Sequence, residues 1–371
     1  MRTRDVADAA GGEACDVAEA AGGEACDVAE AAGGEACDVA DAAGEACDVA
    51  DVETRDETLR GTAAREMREA ASAEAKDTSA NAGIGAPRAL AADDGFFFGL
   101  GAFETIAVEH GMPVFLDAHL ARLKEALDFL GIERDEETLR TAVEGALAND
   151  ERAAAENAAT ENARKEGERA AAANAAAENA PTDGAALSHV APFGRRVLKL
   201  TVTAENMIVT MRDNGYCSAD YERGFACAIS VVRRNESSPL TFRKTLNYGD
   251  CILEKRAAKA RGIDEPLFLN TRGQLCEGAT SNVFLVQHGA IVTPPVESGL
   301  LPGIMRSYVC RAAPVEERPL TLEDALAADE MFLTNSLMDI MSVRSLDGHD
   351  FSSMATARRL HEGYWREFDI R

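Results

Sequence analysis

Apolar and polar positions along this chain fall into two regimes. In residues 90–148 and 190–371 they recur at the spacings of strands and helices, and outside those stretches they do not. Gly101–Val108 (with AFETIAV) reads as a strand, His110–Gly111 as a turn, and PVFL (113–116) as a second short strand. Asp117 stands where a side chain caps a helix from Ala118 to about Phe129, with Leu120, Leu123, Leu127 and Leu130 on one side. Further on, VLKLTVTA (197–204) and ACAISVVRR (226–234) read as strands, and Asp250–Arg261 as a helix stopped by Gly262. EPLFLN (265–270), residues 281–295 and EMFLTNSL (330–337) are strand or strand–turn–strand segments, and Pro302 opens another helix. Strands dominate without simple strand–helix alternation, which predicts an α/β fold of the α+β kind.

The other regime is low-complexity. An 11-residue repeat, DVAEAAGGEAC and its close variant, runs from Asp5 to Cys37, with a ten-residue copy ending at Cys47. The Gly-Gly pair in each copy works against a helical supercoil, at about 1 kcal/mol per Gly. Its lone cysteines lack a second ligand at chelating spacing, so residues 1–88 are expected to be an acidic, disordered extension, helix-prone only over Glu57–Lys76. Residues 149–183, built from Ala, Glu, Asn and Arg with no apolar stripe, read as a solvated insertion. The domains expected are therefore the extension (1–88), a smaller α/β domain (89–195) carrying that insertion, and a larger one (196–371).

Charge changes the picture by exclusion. Residues 1–88 hold 21 acidic and 8 basic side chains, half of the chain's formal −26. So acidic a balance argues against nucleic acid or an anionic membrane surface as partner. No run of about 18 apolar residues spans a bilayer, and the first residues lack the apolar stretch of a secretory signal. Nine cysteines without a CxxC read as reduced thiols. A cytoplasmic protein is expected.

Six dispersed histidines form no HExxH, and neither GxxxxGK[ST] nor GxSxG occurs, so no metal site is expected. Lysine is scarce and therefore informative, with seven in the chain. Lys76 and Lys165 lie in low-complexity segments; Lys124, Lys255 and Lys259 fall on polar helix sides as surface charges; Lys199 points away from its strand's buried face. Lys244 differs. It sits in PLTFRKTLNYGDC, between a strand and a helix and among apolar neighbours that would desolvate it and favour the neutral amine. An ordinary loop lysine is the plain alternative. Glu277, before an apolar strand, could face a cofactor's ring nitrogen. Gly303, Ile304 and Met305 open a helix whose amides could cradle a phosphate.

Five segments carry a family resemblance: FFFGLGAFETIAVEHGMPVFLDAHLARLKEALDFLGI, KTLNYGDCILEKRAAKARGIDEPLFLN, CEGATSNVFLV, TPPVESGLLPGIMR and ADEMFLTNSLMDIMSV. Together the chain resembles the class IV (fold type IV) pyridoxal-5′-phosphate (PLP) enzymes, which include branched-chain and D-amino-acid aminotransferases and 4-amino-4-deoxychorismate lyase. The resemblance implies a two-domain fold with the site between the domains, and usually a homodimer. It implies that Lys244 forms the internal aldimine and moves the substrate's proton, that Arg122 binds the phosphate, and that Glu277 pairs with the pyridine nitrogen. Tyr248 would approach the phenolic oxygen. Gly303, Ile304 and Met305, with Asn335 or Ser336 nearby, would hold the phosphate. Two departures stand out: Gly-Ile-Met replaces the family's common Gly-Ile-Thr, and the hairpin that normally precedes the Asp-Asp-Gly segment is not recognisable in residues 60–90. The resemblance implies transfer of an amino group between an amino acid and a 2-oxo acid. The alternative left open is the lyase, which releases pyruvate from aminodeoxychorismate on the way to 4-aminobenzoate and folate. Loss of the lysine would have suggested a non-catalytic relative, and Lys244 is present.

Overall fold

A computed structural model describes residues 90–175, 195–368 and 370. The Cys-containing repeat, the helix-prone Glu57–Lys76, the missing hairpin and residues 176–183 of the insertion lie outside the described residues. Among the described residues no helix is long and apolar enough to cross a membrane.

The first lobe comprises α1 (Asp94–Phe98), β1 (Gly101–Glu109), β2 (Met112–Pro113), α2 (Leu116–Phe129), α3 (Glu136–Ala175), β3 (Arg196–Thr203) and β4 (Met207–Asp213). Its four strands pair antiparallel in the order β2-β1-β3-β4. Strand alternation gives this sheet two working faces. Ile106, Leu198, Leu200 and Val202 pack under Leu120, Leu123, Leu127, Leu139 and Val143 of the two helices. The opposite face presents Phe103, Thr105, Lys199 and Arg212, with Thr105 directly across from Lys199.

Three expectations change here. The smaller lobe does not end at 195: β3 is the long partner of β1 and β4 pairs with β3, so the boundary falls after Asp213. The supposed insertion is not a separate piece at its start. α3 runs unbroken from Glu136 through residue 149 to Ala175, because nothing in its Ala- and Glu-rich sequence breaks a helix. Asp150 still anchors to Arg196, and the helix residues described beyond it, from Glu151 onward, are exposed. Finally, Asp117 does not cap α2. The helix starts at Leu116 behind Phe115, which takes a left-handed φ of 54° without a side-chain cap. Phe115 leaves the expected PVFL strand to pack against Tyr308, Tyr364 and Phe368 of the other lobe. Asp117 instead pairs with Arg140.

The second lobe holds α4 (Ser218–Arg223), β5 (Phe225–Arg234), α5 (Gly249–Ala260), β6 (Glu265–Asn270), β7 (Leu275–Gly278), β8 (Asn282–Gln287) and β9 (Ala290–Thr293). There follow α6 (Ile304–Ala312), β10 (Val315–Glu317), α7 (Leu322–Leu326), β11 (Glu330–Asn335), β12 (Asp339–Leu346), β13 (His349–Asp350) and α8 (Ala355–Glu367). The sheet order is β10-β9-β8-β11-β12-β5-β6-β7, and β7 pairs again with β8 at Glu277↔Asn282. Six strands therefore close into a ring. One face of each strand, including Leu267, Val283, Met331, Leu333, Met341 and Val343, fills it with one core. The alternate residues Phe284, Val286, Phe332 and Ile340 pack against residues of α6 and α8. Strand ends and connections on one side of this ring turn toward the polar face of the smaller sheet.

Candidate active site

A cavity of about 610 Å³ lies between that face and the turns of the ring, within the range of cofactor and ligand pockets. Lys244 enters it from the segment before α5. That segment is tied to β1 as a short extra strand: Phe103 N–H donates to the Lys244 carbonyl and Leu246 N–H to the Gly101 carbonyl, both at 2.9 Å. The Lys244 Nζ sits 4.6 Å from the Phe103 ring centre and 5.2 Å from that of Tyr248. Among the described residues it has no hydrogen bond or ion pair. Burial, reinforced by the nearby Arg122 charge, pushes its ammonium down to about 8. At pH 7 roughly a tenth is therefore the nucleophilic free amine, far more than at the ordinary lysine value.

Glu277, at the end of β7, lines the same cavity. It accepts from the Leu301 N–H at 2.9 Å and pairs with Arg234 at 2.8 Å. Burial outweighs Arg234 and pushes its carboxyl up to about 7. Such an acid holds or releases a proton according to the base placed opposite it.

Arg122 reaches the cavity from α2 with its guanidinium oriented by protein. Its Nε and Nη2 donate to the two oxygens of buried Glu104 at 2.7 and 2.8 Å, and its Nη1 donates to the Pro302 carbonyl at 3.0 Å. Although burial of Glu104 opposes ionisation, Arg122 and His119 hold its carboxyl well below the usual range. Arg122 thus stands against the start of α6, whose N-cap, Gly303, supplies no side-chain cap to the first amides. A Cβ at Gly303 would lie 1.9 Å from Asn282 Oδ1, so glycine is what lets α6 begin against β8. Gly303 and Ile304 line the cavity. Met305 does not; its side chain, 1% exposed, fills the core beside Phe284 and Tyr308, so the threonine hydroxyl expected at this position is replaced by packing.

Tyr248 lines the cavity edge-to-face with Phe103 at 5.4 Å. Asn335 ends β11 and Ser336 follows it in the turn, both at the cavity wall. Asn335 Oδ1 accepts from the Leu337 and Met338 amides, and its Nδ2 donates to the Thr280 carbonyl. Every residue expected at the site except Met305 is therefore at the cavity.

Other residues there were not foreseen. Phe103, Thr105, Lys199 and Arg212 come from the smaller sheet's polar face. Lys199 does point away from its strand's buried side, but into the cavity, where burial and Arg212 lower its pKa. The alternation that placed Leu198 and Leu200 inward was the available signal. Lys255 is no simple surface charge. It pairs with buried Glu265 and donates to Thr280 Oγ1 at 3.0 Å, while Glu265 also accepts from the Thr280 N–H and from Ser281 Oγ. That carboxylate shapes the 278–281 turn. Among the described lining residues, Arg122, Lys199, Arg212, Lys244, Lys255 and Arg256 face one carboxylate, Glu277. In a chain of net −26 this is a local reversal of sign.

These residues fit PLP. A desolvated lysine suits its aldehyde, an acid with a raised pKa suits its ring nitrogen, and an uncapped helix start beside an arginine suits its phosphate. Thr334 Oγ1, buried and without a hydrogen-bond partner among the described residues, offers a further donor at the cavity wall.

A protein-family model described as amino-transferase class IV matches residues 101–346. A protein of Thermotoga maritima described as a probable branched-chain-amino-acid aminotransferase is 39% identical over 141 residues, 36% of this chain and half of that protein. The branched-chain-amino-acid aminotransferase of Escherichia coli is 36% identical over 134 residues, 34% of this chain and 43% of that protein. The chain spans between 38% and half of the curated relatives it first matches. Among solved structures, a fold IV-transaminase of Curtobacterium pusillum superposes with a TM-score of 0.58 at 25% identity, covering 76% of this chain and 91% of that one. The 4-amino-4-deoxychorismate lyase of Pseudomonas aeruginosa shares the fold at TM-score 0.58 and 24% identity, covering 78% and 98%.

Proposed function

The chain belongs to the class IV aminotransferase family, and on that premise we propose that it transfers an amino group between an amino acid and a 2-oxo acid with PLP as cofactor. The observation that carries this reading is the pair Lys244 and Glu277 in one cavity, with pKa values of about 8 and about 7 that converge from opposite directions. When bound, PLP accepts the amino group through its aldehyde and withdraws electrons from the carbon that carried it. Lys244 would hold the aldehyde, and its freed amine would move a proton from the substrate's Cα to the carbon of that aldehyde. Glu277, fixed by Leu301 and Arg234, would keep the ring nitrogen protonated. Arg122, Gly303, Ile304, the Met305 amide, Asn335 and Ser336 would hold the phosphate end, and Tyr248 the ring's phenolic side. The cavity's closure under the smaller sheet would exclude water, while Lys199 and Arg212 would attract the substrate's carboxylate.

Borohydride reduction and peptide mass mapping should fix a pyridoxyl group on Lys244. Amino transfer to a 2-oxo acid should be lost in Lys244→Ala, and a label elsewhere would sink the assignment. The lyase alternative keeps one observation in its favour, since a cation-rich wall suits a substrate with two acid groups. Pyruvate release from aminodeoxychorismate without a 2-oxo acid would establish it in place of transfer. The proposal includes a homodimer, tested by sedimentation of the loaded enzyme. It also includes a cytoplasmic setting, supported by the free cysteines Cys217, Cys227, Cys251, Cys276 and Cys310.

A further inference from the structure

The lobes also meet at a place that the proposed chemistry does not use. Arg195, just before β3, is 4% exposed. Its Nε donates to Glu109 Oε1 at the end of β1 at 2.5 Å, and its Nη2 donates to both oxygens of Asp339 at the start of β12 at 3.0 Å. Asp339 is fully buried and accepts another bond from Trp365 Nε1 on α8 at 2.9 Å. The Tyr221 hydroxyl and His361 Nε2 close the group, at 3.4 Å from Arg195 and 3.7 Å from Asp339. One guanidinium is thus shared between the small sheet and the ring.

Two features connect this staple to the cavity. Asp339 comes two residues after Leu337, the last cavity-lining residue of the turn that begins at Asn335, and it sits at φ +54°, a left-handed conformation that costs energy outside glycine. Its carboxylate bonds hold it there. The second tie is neutral: Asn214, directly after β4, donates from Nδ2 to the Leu337 carbonyl at 2.8 Å, and its N–H donates to the Arg195 carbonyl at 3.0 Å. The turn is therefore pinned from the small lobe by an ionic and a neutral link that share Arg195. Lys244 and Glu277 depend on neither, being held by β1 and by Leu301 with Arg234.

We propose that Arg195 and Asn214 are positioning residues that set the gap between the Lys199–Arg212 face and the Asn335–Leu337 turn, and so set substrate affinity rather than the chemical step. The proposal rests on reading the cavity as the site of an amino-transferring reaction. The test uses the PLP-loaded enzyme with Asp339→Asn, Asp339→Gly, Arg195→Lys and Asn214→Ala. Asn keeps the shape and tolerates the left-handed backbone, Gly relieves the strain while removing the tie, and Asn214→Ala leaves the buried ions intact, so it folds even where the ionic variants do not. Each folded variant should raise KM at least about tenfold, and raise equally the Kd of the amino acid read from the bound cofactor's absorbance. The turnover number should change less than about threefold, and Lys244 should still take the borohydride label. If Asn214→Ala and the folded Asp339 variants lose thermal stability but keep the wild-type Kd and KM, the staple is merely structural and the proposal fails. If the wild type takes the label yet transfers no amino group, the reaction assignment falls, and the Kd comparison alone decides the staple.

Discussion

Lys244, half-buried, and Arg195, buried, are both cations at the junction of the lobes, and the protein treats them oppositely. Arg195 has partners for its charge on both sides, Glu109 and Asp339, and although burial works against it those partners raise its pKa above the ordinary value. Lys244 has aromatic rings where a partner would be, and its pKa falls to about 8. The difference teaches that reactivity here is an incomplete shell. A closed shell of hydrogen bonds makes a scaffold; an open one, facing a cavity, leaves an amine with somewhere to react.

Removing each cation's function in turn separates the two roles. Lys244→Ala should reduce turnover by at least about 10⁴-fold in a steady-state transamination assay, because in the proposed reaction covalent attachment and proton transfer would both go through that amine. Residual activity near wild type would show that the open shell is not where the chemistry lies. Asp339→Ala should instead act on stability, costing about 3–5 kcal/mol in denaturant unfolding, since Arg195 would stay buried with half of its compensation gone. A loss under about 1 kcal/mol would mean that the closed shell is not the scaffold.

Smaller effects refine the contrast. Lys199→Gln should raise KM for a carboxylate-bearing substrate by about tenfold while leaving the Lys244 label intact. Equal KM values would remove the cation face from substrate recognition. In the cofactor-free protein, Lys244→Met should raise the melting temperature by about 2–4 °C at pH 7. Below pH 8 the lysine is charged in both folded and unfolded states, and its burial is a constant cost. Between pH 8 and about 10.5 only the unfolded chain holds the proton, so the wild type gains stability as pH rises and the difference closes. A melting difference that widened with pH would contradict the assigned direction.

Much of the site was legible because PLP-type chemistry concentrates scarce residue types in local motifs. One lysine among seven lay between a strand and a helix in an apolar setting, and Glu277 and Pro302–Gly303 followed at separations that a turn and a helix start explain. The residues that went unread depend on pairing rather than on local pattern. Lys199 and Arg212 alternate like the outward residues of any half-buried strand, and only the register that sets Thr105 opposite Lys199, with the ring packed beneath, turns their polar face into a cavity wall. Lys255 looked like a helix-surface charge because its partner, Glu265, belongs to the next strand.

The amino-acid order alone determined the strand-rich composition of the two folded regions, the family resemblance, and the choice of Lys244 and Glu277 as candidate amine and acid, since these rest on neighbours a few residues apart. Tertiary structure decided where the smaller lobe ends, why Met305 occupies the core, and how Arg195 joins Glu109 to a strained Asp339 that lies 144 positions away in the chain. Such contacts follow from strand pairing and burial between distant segments, and the free energy that selects them exists only once the lobes have closed on each other.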